Sequence, residues 1–190
     1  MCHFITAVLP TAEPPPLLRA LVERSGLLFE PLHNPHVAGQ LDAGEGYFRA
    51  TDCMCDCGTG LGSAEATESR FESRLRAIRR KKKGWSEARL RRWVEQQETN
   101  RRSAERKAAA RASTPTAEQW AGFLTEAIDL GEATYVGLLL HWYDGSPENE
   151  AIPALRRERI SISPTLGQHL AEMSEDVLYV IGMPPAGARE

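Results

Sequence analysis

At 190 residues the chain can bury a core of its own, and its length suits one domain, or one domain with a substantial insertion, better than two. Apolar residues at 42% against 26% charged form an ordinary globular mixture, which excludes a disordered or fibrous chain. The longest apolar run, Tyr135 to Tyr143, is about half of the roughly 20 residues a membrane helix requires, so no span is expected. The formal charge of −3 hides a division: between Arg70 and Arg111 sixteen Lys or Arg stand against five Asp or Glu, a net of +11 that leaves −14 elsewhere. Such asymmetry points to an acidic partner, and a merely solvated charged helix gives the same count.

In chain order, Cys2 to Leu9 is predicted to be a strand with apolar groups on both faces. The triple proline Pro14-Pro15-Pro16 then opens a short helix through Leu17, Leu18, Leu21 and Val22, which Gly26 ends. Leu27 to Leu32 and Gly46 to Thr51 follow as strands, separated by a loop with His33, Asn34, Pro35 and His36. From Ala64 the pattern turns helical, with Phe71, Leu75 and Ile78 on one face. A break is expected at Lys81-Lys82-Lys83-Gly84-Trp85-Ser86, where Gly84 takes a left-handed stop, Ser86 caps the next helix and Trp85 staples onto Leu90. That second helix carries Leu90, Trp93 and Val94 and then fades into alanine and arginine.

Thr116 and Gln119 form a capping-box pattern ahead of Trp120, Phe123, Leu124, Ala127 and Ile128, with Gly131 as the stop. Thr134 to Trp142 suits a central buried strand, followed by a turn at Asp144-Gly145. Ile160 and Ile162 mark an edge strand, Leu166, Leu170 and Met173 a short helix, and Val177 to Ile181 a last strand. The expected fold is α+β: a mixed sheet of about five or six strands shared by residues 1–63 and 114–183. Residues 64–113 are read as an inserted basic helical hairpin and 184–190 as a disordered tail.

The most chemical stretch is Thr51-Asp52-Cys53-Met54-Cys55-Asp56-Cys57-Gly58-Thr59-Gly60. Thiols suit zinc. Extended cysteines two apart lie about 6.6 Å from one another, whereas thiolates on one zinc come within about 3.8 Å, so the strand must bend to hold metal. Cys53, Cys55 and Cys57 are the expected ligands, with Cys2 as a further thiol and His3, His33 and His36 as nearby nitrogens. Packing of the thiols as small apolar groups is the competing reading. His33 and His36 read as ordinary loop residues, and His141 as a satisfied buried histidine. A disulfide framework is a poor match to this spacing, which with the absence of a secretory pattern points to a cytoplasmic setting.

Arg79, Arg80, Lys81, Lys82 and Lys83 end one expected helix, and Arg89, Arg91 and Arg92 lie across the turn, with Trp85 among them. Such a cluster attracts either an acidic protein or nucleic acid, the latter through counterion release with stacking on the indole. Cys2 carries a separate reading. If Met1 is removed, a terminal thiol beside a free amine resembles the nucleophile of class II glutamine amidotransferases and related N-terminal hydrolases, although the accompanying arginine, asparagine and glycine pattern is missing. The pieces MCHFIT, CDCGTGLG, KKKGWSEA and GLLLHWYDG together resemble an uncharacterised family of bacterial proteins, and that resemblance implies no activity. The sequence therefore leads to a non-enzymatic interaction protein with a thiol-rich, zinc-binding core that presents a basic hairpin to an acidic partner, in the manner of an immunity or antitoxin protein. A nucleic-acid-binding protein and an amidohydrolase using Cys2 are the alternatives, and the oligomeric state is left open.

Overall fold

The computed structural model describes residues 2–52, 56, 59–62, 85, 86, 88, 89, 92, 93, 96, 115–143, 145–152 and 154–183. Strands β1 (Cys2–Leu9), β2 (Glu30–Pro31), β3 (Gly46–Arg49), β4 (Tyr135–Tyr143), β5 (Arg156–Ser161) and β6 (Val177–Gly182) form one sheet in the order β2-β3-β1-β4-β6-β5. Only β5 and β6 are parallel, joined through a helix; the other pairs are antiparallel, so the sheet is mixed and the fold α+β. β1 and β4 lie at the centre, as their continuous apolar runs require.

Among the described residues four helices accompany the sheet: α1 (Pro16–Arg24), α2 (Pro35–Ala38), α3 (Ala117–Asp129) and α4 (Leu166–Ala171). The triple proline leads directly into α1, and Gly26 follows it at φ +68°. In α3 the capping box forms as its sequence indicates: Gln119 N–H donates to Thr116 Oγ1 and Thr116 N–H to Gln119 Oε1.

Side chains alternate across the sheet. Ile5, Ala7, Leu9, Phe48, Leu138, Leu140 and Ile181 meet Leu18, Leu21, Trp120, Leu124 and Leu170 of the helices in the main core. On the opposite face Val8, Tyr47, Leu139, Tyr143 and Leu178 pack under loops carrying Val37 and Ile152. Those loops are held by Asn34, which caps α2 through its Oδ1 and donates from Nδ2 to the carbonyls of Pro147 and Glu150.

Two expectations need correction. The strand expected from Leu27 to Leu32 shrinks to Glu30–Pro31: Phe29, at φ +47°, interrupts the regular ladder, while Leu28 N–H still donates to Ala50 O and Leu32 N–H to Tyr47 O. The loop expected at residues 33–36 contains the start of α2, with Asn34 as cap and Pro35 at the first helical position. The edge strand, the last helix and the last strand fall where the sequence places them.

Candidate functional site

β1 begins, β4 ends and β6 begins at one end of the sheet, so residues far apart in sequence share a corner. Cys2 pairs with Tyr143, His3 with Trp142 and Phe4 with His141. Two residues after β3 ends, Thr51 starts the cysteine segment. Asp56 N–H donates to the carbonyl of His3 at 2.8 Å, while Ile5 N–H donates to Asp56 Oδ2 at 2.8 Å and Thr51 Oγ1 to Oδ1 at 2.7 Å. Asp56 thereby extends the sheet along the edge of β1 that β3 has left. Its carboxyl is fully buried, and burial pushes its pKa up; the bonds from Ile5 and Thr51 and the charges of Arg49 and His3 offset this only in part.

Cys55 and Cys57 are each one peptide bond from Asp56, and Cys2 is one peptide bond from His3, so the hydrogen bond between Asp56 and His3 draws the cysteine run and the first strand together. Cys53, Cys55 and Cys57 themselves lie outside the described residues, as does the side chain of Cys2. Among the described residues no group of three His, Cys, Asp or Glu could hold a metal ion.

The histidines divide by environment. His3 pairs its Nε2 with Glu175 and sets its ring edge-on to Trp142. His33 and His36 are exposed on the turn that contains α2, and His169 is exposed on α4. His141 is 8% exposed, with Nδ1 2.5 Å from Asp176 Oδ1 and its ring edge-on to Tyr143. Its Nε2 is buried without a hydrogen-bond partner, an arrangement that costs about 1–3 kcal/mol. The expected satisfied histidine is thus satisfied at one nitrogen only. Asp176 reaches it from φ +62°, a conformation open to aspartate but strained, and its N–H donates to Leu140 O at 3.1 Å.

Beside this pair, Tyr47 Oη donates to Thr6 Oγ1 at 2.9 Å and lies 3.0 Å from Tyr143 Oη. Burial first, then the neighbouring phenol, raises Tyr143; burial also raises Tyr47. Farther along the same face, Glu45 is held by Arg157, Tyr135 and the Asp42 N–H. No sequence signal marks Asp56, Glu175 or Asp176 as partners of histidines or strands, because each pairing spans 35 residues or more.

The cysteine run also leads to the foot of the expected insertion. Leu61 is buried, Gly62 N–H donates to Leu170 O, and a Cβ placed on Gly60 would sit 3.0 Å from Ala117 N and 3.4 Å from Thr116 Cα. Gly60 therefore lies against the start of α3 at Thr116 and Ala117. Of the expected basic tip, Ser86 Oγ accepts from Arg89 N–H at 3.3 Å, and the Arg89 guanidinium lies 4.5 Å from the Trp85 ring centroid. Arg89 and Arg92 are exposed. Arg79, Arg80, Lys81, Lys82, Lys83, Gly84, Leu90 and Arg91 lie outside the described residues, so the expected helix break and staple do too.

Among the described residues no helix is long and apolar enough to cross a membrane. No family model, curated protein or solved structure matches the chain.

Proposed function

We propose that this chain is an interaction protein: a thiol-rich corner, braced by zinc, supports the inserted basic segment 64–113, which binds an acidic protein partner. The observation that supports this reading is that Gly60, ahead of segment 64–113 in the chain, lies against Thr116 and Ala117, which follow it. An insertion that leaves and returns at one place can project from a domain without disturbing its sheet. Four residues before Gly60, Asp56 fastens the cysteine run to β1. A metal held by Cys53, Cys55 and Cys57 with Cys2 would stiffen the foot of the insertion, as structural zinc does when its tetrahedral site is closed.

An acidic protein is favoured over nucleic acid because the Trp85 ring already carries the Arg89 guanidinium, which occupies a face that base stacking would use. The test replaces Lys81, Lys82, Lys83, Arg89 and Arg92 with glutamine and measures binding to polyglutamate, a DNA duplex and a DNA single strand across a salt series. The reading expects polyglutamate binding in the parent chain and its loss in the variant, with the fold kept, since exposed charges contribute little to stability. Nucleic acid as the true partner would instead give tighter DNA binding, and the five changes would flatten its log–log salt slope by about 4.5 for duplex or about 3.5 for single strand. Binding that survives all five changes would remove the basic segment from the account.

A further inference from the structure

We propose that the acidic partner of the basic segment is a second copy of this chain, and that Arg89 and Arg92 of each copy dock on the outer face of α3 of the other. The inference rests on the interaction reading above and names its partner. Lys and Arg exceed Asp and Glu by 11 between Arg70 and Arg111, and the rest of the chain sums to −14, so one chain carries both halves of an electrostatic match. The acidic half has a place in the fold. α3 contains Glu118, Glu126 and Asp129 and no Lys, Arg or His. Glu126 and Asp129 lie in its last turn, where the unpaired carbonyls already leave about half a negative charge. Two carboxylates at that end oppose the helix dipole, and cations set against them relieve the opposition.

Arg24 of α1 meets Glu126, while Asp129 has no ion pair among the described residues. With these two carboxylates Ala121, Gly122, Thr125 and Leu130 line an open groove of about 460 Å³. Its small side chains admit a helix closely: a Cβ on Gly122 would meet nothing within 4 Å, and Leu130 is 42% exposed at one end. Glu126 and Asp129 are three residues apart on α3, as are Arg89 and Arg92, which are helical and exposed. Each pair therefore spans about 4.5 Å along its helix axis, so two helices laid side by side bring one guanidinium to each carboxylate. Stacking on Trp85 uses the face of the Arg89 guanidinium and leaves its in-plane donors for a carboxylate. A second copy fits better than the same chain, because a segment that projects from its own sheet leaves its own α3 uncovered. In a two-fold dimer the contact is made twice.

Sedimentation equilibrium of the full chain tests this, with one variant carrying Glu126→Lys and Asp129→Lys and another carrying Arg89→Glu and Arg92→Glu. The parent should be a dimer at low salt whose dissociation constant rises with salt, and polyglutamate, which competes for the same arginines, should dissociate it. Each variant alone sets like charges together in both contacts, so its dimer should weaken at least about 100-fold. An equimolar mixture of the two variants should recover a dimer, because every contact in the mixed pair again joins opposite charges. Recovery in the mixture also requires that both variants fold, and Glu126→Gln with Asp129→Asn, which adds no charge, gives a milder weakening should a reversal unfold the chain. A parent that stays monomeric yet binds polyglutamate would overturn the second copy as partner and leave the interaction reading standing. A dimer that both charge reversals leave intact would overturn the α3 contact. A parent that neither dimerises nor binds polyglutamate would overturn the reading and the inference together.

Discussion

Removing the Arg157 guanidinium should destabilise the fold by about 2–3 kcal/mol, and the geometry sets that figure. The Glu45 carboxylate is only 2% exposed and receives Arg157 Nη1 at 2.9 Å and Nη2 at 2.6 Å, Asp42 N–H at 2.7 Å and the Tyr135 hydroxyl. Stranding one partner of a buried ion pair costs about 3–5 kcal/mol. Arg157 is 28% exposed, so water partly replaces it, and two other donors stay on Glu45, which lowers the expectation for Arg157→Ala to the range given. For a chain of this length that is a fall in Tm of about 4–12 °C. Glu45→Gln made in the Arg157→Ala background should cost less than Glu45→Gln alone, by about 1–2 kcal/mol, because the stranded charge is gone.

The pair also sets a direction with pH. Burial raises the Glu45 pKa, but the bonds from Arg157, Tyr135 and Asp42 N–H and the charge of Arg157 outweigh it, so the folded value lies below the ordinary glutamate value of about 4.3. The contribution is therefore complete above that value and is lost as pH falls through the lower, folded one. Urea unfolding followed by circular dichroism at pH 7 and through the acid range measures both effects. A cost below about 0.5 kcal/mol for Arg157→Ala, or a pair contribution that grows on acidification, would refute the reasoning.

Other expectations follow from single contacts. Trp120 is fully buried with an unpaired Nε1, so Trp120→Ala should cost about 3–5 kcal/mol, while Trp120→Phe, which removes the orphan donor, should cost clearly less by the same unfolding assay. A Cβ on Gly46 would meet Thr11 O at 2.5 Å, so Gly46→Ala should lose about 1–3 kcal/mol in a thermal melt. Asp56→Ala leaves the buried Ile5 N–H without its acceptor and should cost about 1–3 kcal/mol, whereas Asp56→Asn keeps an acceptor there and should cost less. In an absorbance titration Tyr135, pushed up to about 12 by burial and Glu45, should stay protonated at pH 11 with Tyr143, and Glu45→Gln should bring Tyr135 down.

Much of the fold is legible in the sequence because its signals are local. The capping box at Thr116, the triple proline before α1 and the nine-residue apolar run of β4 each specify an element within a few residues. α2 escapes because four residues cannot express a helical period; its only marks are the cap Asn34 and Pro35 behind it. β2 shortens at Phe29, whose φ is positive and whose ring packs against Phe48 and Phe123, contacts that adjacent residues do not announce. The corner is less legible still. The cysteine run stands out by composition, but its attachment to β1 through Asp56, and the half-satisfied state of His141, depend on residues brought together only by strand pairing.

The central claim is that the thiol-rich corner holds a metal, and intact mass of the full chain, purified without chelator, tests it most directly. The account predicts a native mass exceeding the denatured mass by one zinc per chain, with the excess and the protection of the thiols lost together on denaturation. A folded chain that carries no metal and whose four thiols all react freely would contradict it.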